Sequence, residues 1–152
     1  MVDYYALPQD WPGRENARSM NSTAQKAECV EAALLADIVD EMGPRFDSRH
    51  FVPFVTMHEF EALLFSDPDL FAQGIERRDL AAGFLAIRQG FSSPEDINDS
   101  AETAPSKRIS GLFPGYQKRL FGPLAATAIG LSTIRKECGH FDDWLKRLES
   151  LA

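Results

Sequence analysis

Apolar residues recur at helical spacing along much of the chain, and they form short continuous runs in only two places. The clearest helical stripe lies between Ser22 and Gly43-Pro44; its members are Ala27, Val30, Leu34, Ile38 and Met42. Ser22 and Gln25 fit a capping box, and Gly43-Pro44 is a typical helix stop. The pattern therefore predicts one long helix between these two signals.

The two continuous runs are the candidates for β-strands. The first, MVDYYALP, carries Asp3 and is stopped by Pro8, and the second covers residues 49–57, RHFVPFVTM. The nearly uninterrupted apolar run of the second is typical of a strand covered on both faces in an α/β sheet. Pro53 within it favours an edge or irregular position instead, so both interpretations stay open.

The remainder of the chain has the pattern of a loop followed by short helices. Gly, Pro and polar residues predict a loop over 10–21. Helices are predicted over 59–65, 69–73, 78–89, 116–129 with an interruption or kink at Gly122-Pro123, 131–138 and 141–151. Two strands cannot form an independent sheet core. We therefore expect one α/β domain over residues 1–152, with a parallel sheet of few strands and a largely helical C-terminal half.

Composition excludes some classes of function. The net charge is −7 and the pI about 4.9, which argues against nonspecific nucleic-acid binding by the whole surface. Basic pairs in the C-terminal half form either a local basic face or solvated helix surfaces: Lys107-Arg108, Lys118-Arg119, Arg135-Lys136 and Lys146-Arg147. No apolar run approaches the roughly 20 residues of a membrane span, and no export signal is evident. We expect a cytoplasmic protein with reduced cysteines.

Acidic residues cluster where the second predicted strand ends. His58, Glu59 and Glu61 lie there, and Asp3 lies in the first predicted strand. If the strands are parallel neighbours, these carboxylates can hold a hard cation such as Mg²⁺ or Mn²⁺ at the sheet edge where α/β folds bind ligands; the alternative is that the acids complement a helix N-terminus. A regular helix places His58 beside Glu61, and an extended backbone places Glu59 beside Glu61. Glu59 and Glu61 are therefore alternatives unless the turn is irregular.

A second polar cluster lies in PEDINDS, which contains Glu95 and Asn98 and is followed by Lys107 and Arg108. Acidic groups for a metal and basic groups for phosphate are the combination that a phosphodiesterase needs. Lys118 is a further candidate for contacting phosphate. The alternative is that the acids cap a helix and the basic pair is solvated.

Five long segments, in order, resemble a known bacterial family, the domain of unknown function 4276 (DUF4276). They are DYYALPQDWPG, FVPFVTMHEFEALLFSDP, SPEDINDSAETAPSKRI, YQKRLFGPLAATAIGL and IRKECGHFDDWLKRLE. The resemblance spans essentially the whole chain and implies a Toprim-like α/β fold, related to nuclease domains that occur beside ATPases in phage-defence loci. Members usually begin with a VEGxTE strand, which this chain does not contain, so the resemblance implies an N-terminally truncated domain. A second aspartate of the family's Asp-bearing strand is Tyr5 here.

These observations give two hypotheses. The first is a Mg²⁺-dependent nuclease-type domain acting on DNA or RNA with an ATPase encoded nearby, in phage defence. Asp3, Glu59 and Glu61 would hold the metal, with Glu59 and Glu61 also catalytic, while Lys107 and Arg108 would contact phosphate. The second is a non-catalytic module that docks on a partner ATPase, with its exposed apolar surface covered by that partner or by self-association.

Overall fold

A computed structural model of the chain describes residues 2–57, 59–97 and 103–151. The described residues form an α/β structure with a small parallel sheet. Its strands are β1 Val2–Asp3 and β2 Val55–Thr56, and its helices are α1 Arg14–Ala17, α2 Thr23–Met42, α3 Pro68–Gly74, α4 Ala81–Arg88, α5 Pro105–Leu112, α6 Lys118–Ile129, α7 Leu131–Glu137 and α8 Gly139–Glu149. Short 3₁₀ helices cover Tyr4–Ala6, Ser48–His50, Phe60–Ser66, Arg78–Leu80 and Pro94–Asp96.

The chain divides into two compact units. One contains the described residues up to Met57 together with those from Asp143 onward, and the other contains those from Glu59 to Asp142. Helix α8 begins in the second unit and ends in the first. The interpretation of residues 1–152 as a single domain stays a prediction.

The sheet of the first unit is parallel, as the sequence suggested. Val2 pairs with Val55 and Asp3 with Thr56, and the Val2 N–H donates to Phe54 O at 2.9 Å. The Val55 N–H is bound instead by the buried Glu31 carboxylate of α2, at 2.8 Å. Strand β2 is shorter than the predicted run over 49–57, and residues 51–54 lie outside it. Pro53, which lacks an N–H group, explains why this part is irregular.

Helix α2 packs on this sheet through the first half of its predicted stripe. Ala27 and Val30 are fully buried, whereas Met42 is exposed, so the stripe leaves the core toward its C-terminal end. Its N-cap is confirmed, because Ser22 Oγ accepts from the Gln25 N–H at 3.2 Å. The predicted loop over 10–21 was wrong in part, since it contains α1.

The second unit is built around a cluster of three phenylalanines. Phe71 of α3 and Phe84 of α4 stack with ring centroids 4.3 Å apart, and Phe65 meets both rings edge-on. Residues 61–66 are all buried, but they form a 3₁₀ helix where an α-helix was expected. The extended Asp67 ends this segment and caps α3 by accepting from the Leu70 N–H at 2.9 Å.

Helix α6 is continuous over Lys118–Ile129, so the interruption expected at Gly122-Pro123 was wrong, whereas the kink given as its alternative stays a prediction. Pro123 lies in the second turn of this helix and has no backbone N–H to donate. Gly122 faces the ring of Phe60, and a Cβ at this position would make an ordinary van der Waals contact with that ring at 3.6 Å. No helix in the described parts of the chain is long and apolar enough to cross a bilayer.

Candidate functional site

The acidic residues after β2 lie on an irregular turn. Glu59 is extended, with φ −65° and ψ 155°, and the 3₁₀ helix that contains Glu61 begins at the next residue. Both carboxylates reach one ammonium group: the Lys118 Nζ lies 2.5 Å from Glu59 Oε1 and 3.6 Å from Glu61 Oε2. In regular geometry Glu59 and Glu61 would be alternatives. Because the backbone changes from extended at Glu59 to 3₁₀ at Phe60, both carboxylates reach the same ammonium group.

The three side chains differ in their exposure to solvent. The side chain of Glu61 is 5% exposed, that of Glu59 24% and that of Lys118 49%. Lys118 is the first residue of α6, so its side chain approaches the two acids from the helix N-terminus. The cluster therefore has a buried carboxylate, a partly buried carboxylate and an ammonium group open to solvent.

Glu59 also closes the N-terminus of another helix. Its Oε2 accepts from the Ser106 N–H in the first turn of α5 at 2.8 Å, and the N-cap residue of that helix, Ala104, makes no side-chain cap. A carboxylate at this position satisfies a free backbone donor and complements the helix dipole. Glu59 thus caps a helix 47 residues downstream, whereas it makes no side-chain cap on the 3₁₀ helix that begins at the next residue.

The environment moves the pKa values of the two glutamates in opposite directions. Burial acts to raise the pKa of Glu59, but hydrogen bonds from Lys118 and Ser106 outweigh it and hold that pKa below its usual value. Burial raises the pKa of Glu61, the Glu59 charge adds to this effect, and Lys118 opposes it. Burial tends to lower the pKa of Lys118, yet the two carboxylates raise it. Glu61 is therefore the carboxylate suited to exchanging a proton.

Tyr116 completes the cluster and was not among the sequence candidates. Its hydroxyl is buried and has no hydrogen-bond partner within the described residues. Burial, followed by the charges of Glu61 and Glu59, raises the pKa of this phenol, so it stays protonated. The only sequence signal was the position of Tyr116 two residues before Lys118 in YQKRLFG.

The other predicted basic residues lie on α5. Lys107 is exposed, while Arg108 donates from Nε to Thr103 O at 2.8 Å and lies with its Cζ 5.1 Å from the centroid of the Phe91 ring. These contacts give Arg108 a role in holding the segment before α5. That Lys107 and Arg108 contact phosphate stays a prediction.

Glu95 caps a helix far from it in sequence. Its two carboxylate oxygens accept from the backbone N–H groups of His140 at 3.0 Å and Phe141 at 2.9 Å, in the first turn of α8. Burial raises the pKa of Glu95, and these two N–H groups oppose the rise. The predicted candidates His58 and Asn98 lie outside the described residues.

Asp3 ends β1 and caps the 3₁₀ helix that follows. Its Oδ1 accepts from the Tyr5 N–H at 3.0 Å. Among the residues that the structure describes, no group of three or more His, Cys, Asp or Glu side chains is arranged to hold a metal ion. A metal ligand set that includes Asp3, Glu59 and Glu61 therefore remains a prediction.

Comparison with known proteins identifies the family. A family model described as "Domain of unknown function (DUF4276)" matches residues 1–149. The chain belongs to the DUF4276 family. No curated protein and no solved structure gives a match. Membership in DUF4276, which the five sequence segments suggested, is thus confirmed.

The arrangement in this DUF4276 chain has definite chemical capacities. Glu59 and Glu61 offer only oxygen donors, which suit a hard cation such as Mg²⁺. Lys118 can stabilise negative charge that develops beside them. The Tyr116 hydroxyl, which stays protonated, can donate a hydrogen bond. We define the Glu59 cluster as these four residues: Glu59, Glu61, Tyr116 and Lys118.

Proposed function

We propose that this DUF4276 protein is a Toprim-like, metal-dependent nuclease-type domain that acts on DNA or RNA in phage defence with an ATPase partner. The observation that carries the catalytic part is the approach of Glu59 and Glu61 to one ammonium group, that of Lys118. The resemblance of the whole chain to its family supports the nucleic-acid substrate, the defence context and the ATPase. No membrane association is proposed.

Glu59 and Glu61 are the residues that would hold Mg²⁺ or Mn²⁺. Two carboxylates are enough for Mg²⁺, which keeps several waters and also binds substrate phosphate oxygens. When bound, the ion would polarise a phosphate oxygen and favour deprotonation of a coordinated water. Asp3 is a third candidate ligand by resemblance to Toprim enzymes.

The remaining residues would act on the phosphate itself. Lys118, whose side chain is half exposed, would stabilise the charge that develops on the phosphate oxygens. Lys107 and Arg108 would position the nucleic-acid backbone, since Arg and Lys are the usual phosphate contacts.

The direct test is incubation with Mg²⁺ or Mn²⁺ and labelled DNA or RNA. E61Q should lower cleavage by roughly a hundredfold or more, because it replaces a charged metal ligand by a neutral amide. E28Q on the exposed face of α2 is the matched control and should cleave normally. Cleavage by E61Q at the parent rate, or no metal-dependent cleavage of any nucleic acid by the parent, would refute the proposal.

Exposed leucines favour a second candidate, a non-catalytic module that docks on the ATPase. Leu120 and Leu124 are 51% and 48% exposed and lie one turn apart on α6. An apolar pair at this spacing is a typical contact for a partner protein. In co-purification with the ATPase, L120K/L124K should lose binding and L112K on α5 should retain it; equal retention would exclude this surface.

A further inference from the structure

Lys118 lies at an unfavourable place for a positive charge. It is the first residue of α6, the first turn of that helix contains no acidic residue, and Arg119 follows Lys118 directly. The N-terminus of a helix carries the positive end of the helix dipole, which disfavours a cation in the first turn. The helix itself therefore does not hold the ammonium group in place, and contacts with another segment do so.

Glu59 and Glu61 supply these contacts from a segment far away in sequence. The Lys118 Nζ lies 2.5 Å from Glu59 Oε1 and 3.6 Å from Glu61 Oε2. Two carboxylates that share a site repel each other unless a cation compensates them. The ammonium group of Lys118 acts as such a cation in the structure, so it supplies positive charge where a metal ion would otherwise supply it.

Glu59 has one carboxylate oxygen to offer to a cation. Its Oε2 accepts from the Ser106 N–H at 2.8 Å and so satisfies a free backbone donor in the first turn of α5. Its Oε1 is the atom that contacts the Lys118 Nζ. A metal ion bound by Glu59 would need Oε1, because binding through Oε2 would leave the Ser106 N–H without its acceptor. The ammonium group and the metal ion therefore compete for the same oxygen.

The lysine is the member of this group that can move. Its side chain is 49% exposed, whereas that of Glu61 is 5% exposed and that of Glu59 is tied to α5. A lysine ammonium group lies on a flexible four-carbon stem and binds as a point charge, without the fixed fork of an arginine. An ion pair that is open to water is weak and easily exchanged. Lys118 can therefore leave the two carboxylates by rotation of its side chain alone.

We propose that Lys118 is an exchangeable counter-ion, whose ammonium group takes the place of the divalent cation at Glu59 and Glu61 in the free protein and leaves when that cation binds. The displaced ammonium group becomes available to the phosphate of the substrate, so binding of the cation prepares the phosphate contact. This exchange rests on the proposed function, since it requires Glu59 and Glu61 to hold a divalent cation.

The test is binding of Mn²⁺ to the whole chain without nucleic acid, measured by electron paramagnetic resonance of the free ion and by calorimetry. K118M should bind Mn²⁺ roughly two- to tenfold more tightly than the parent, because the ion no longer has to break an ion pair of this exposure. R119M is the matched control. It removes the adjacent exposed charge of α6 and should bind Mn²⁺ as the parent does.

The parent chain provides a second measurement, which does not depend on how K118M folds. Acetylation of its lysines by a water-soluble reagent can be followed for each residue by mass spectrometry. Lys118 should react faster in Mg²⁺ than in sodium chloride of the same ionic strength, because the ion releases its amine from the two carboxylates. Lys136, an exposed lysine of α7, should react at the same rate in both salts.

The outcomes separate this exchange from the proposed function. Equal Mn²⁺ affinity of K118M and the parent, or acetylation of Lys118 that ignores Mg²⁺ in a parent that binds Mn²⁺, would overturn the exchange and leave the nuclease proposal in place. Weaker Mn²⁺ binding by K118M would also overturn it, because the lysine would then hold the glutamates in position for the ion. If neither the parent nor K118M binds Mn²⁺, the cation site itself is refuted, and the proposed function is refuted with it.

Discussion

Glu59 and Glu61 both contact Lys118, but their pKa values shift in opposite directions because the rest of their surroundings differ. Glu59 also accepts the Ser106 N–H, whereas Glu61 is almost fully buried in a 3₁₀ helix. The first environment favours the charged carboxylate, and the second favours the neutral acid. The two residues therefore contribute to the pH dependence of stability with opposite signs.

We predict opposite pH trends for E59Q and E61Q. The pKa of Glu59 is lowered in the folded state, so its stabilising effect is present above the unfolded value of about 4.3 and is lost as pH falls through the folded pKa. The pKa of Glu61 is raised, so its favourable effect is present below the unfolded value and is lost as pH rises through the folded pKa. Relative to the parent, E59Q should therefore lose stability as pH rises through the acidic range, and E61Q should gain it.

Urea unfolding from about pH 3 to pH 7 measures both differences. E76Q, at an exposed glutamate of the same unit, should follow the parent at each pH. Parallel pH dependences for E59Q and E61Q would contradict the assignment of opposite pKa shifts.

The sequence indicated Glu59 and Glu61 as candidate site residues but not their geometry. The strand end and the carboxylates after it were visible as an apolar run followed by HEFE. Regular periodicity could not show that an extended Glu59 precedes a 3₁₀ turn, which brings both acids to one side. Lys118 was a candidate for phosphate, but its pairing with Glu59 joins residues 59 positions apart. Local patterns carry no information on such a contact.

Two helices begin at carboxylates that come from distant segments. Glu59 closes the N-terminus of α5, and Glu95 closes that of α8. The sequence placed these acids at the start of their own short helices, where capping is a local effect. In the folded chain they fix the start of a second element, so each carboxylate also links two segments.

At this scale, we predict that E95Q loosens the first turn of α8. An amide cannot supply two charged oxygens to the N–H groups of His140 and Phe141, so the loss should be about 1–2 kcal/mol. Hydrogen exchange of these two amides should speed up more than that of amides in α3. E76Q serves as the control, and unchanged exchange at His140 and Phe141 would show that Glu95 does not hold this helix end.

The sequence predicted helices and strands correctly where neighbouring residues set their bounds, and wrongly where contacts with distant residues or a single proline did. Helix α2 has its cap, stripe and stop within one segment, and its predicted bounds match the structure. The strand over 49–57 was predicted too long, because Pro53 interrupts pairing that composition alone favours. Helix α1 was missed because Trp11, Pro12 and Gly13 resemble a loop, and the packing of Gly13 against α2 is a tertiary contact.

The single-domain prediction for residues 1–152 belongs to the scale of the whole molecule. Both tryptophans, Trp11 and Trp144, lie in the first unit. The ring of Trp144 stacks there on that of Phe54, with the ring centroids 4.8 Å apart. Their fluorescence therefore reports on the first unit, while far-ultraviolet circular dichroism reports on helices of both. A substitution that weakens only the second unit can reveal whether the two transitions are coupled.

G74A is such a substitution. A methyl group at Gly74, the end of α3, would lie 2.7 Å from Ala128 Cβ and 3.0 Å from Leu124 O, so α3 and α6 must separate. We expect a loss of about 1–3 kcal/mol. G111A, where an added Cβ on α5 meets nothing within 4 Å, should be neutral or stabilising by about 0.5–1 kcal/mol. If the chain is one domain, G74A should lower the urea midpoints of tryptophan fluorescence and circular dichroism together. A fluorescence midpoint that stays at the parent value, while the dichroism midpoint falls, would instead mean that the two units unfold separately.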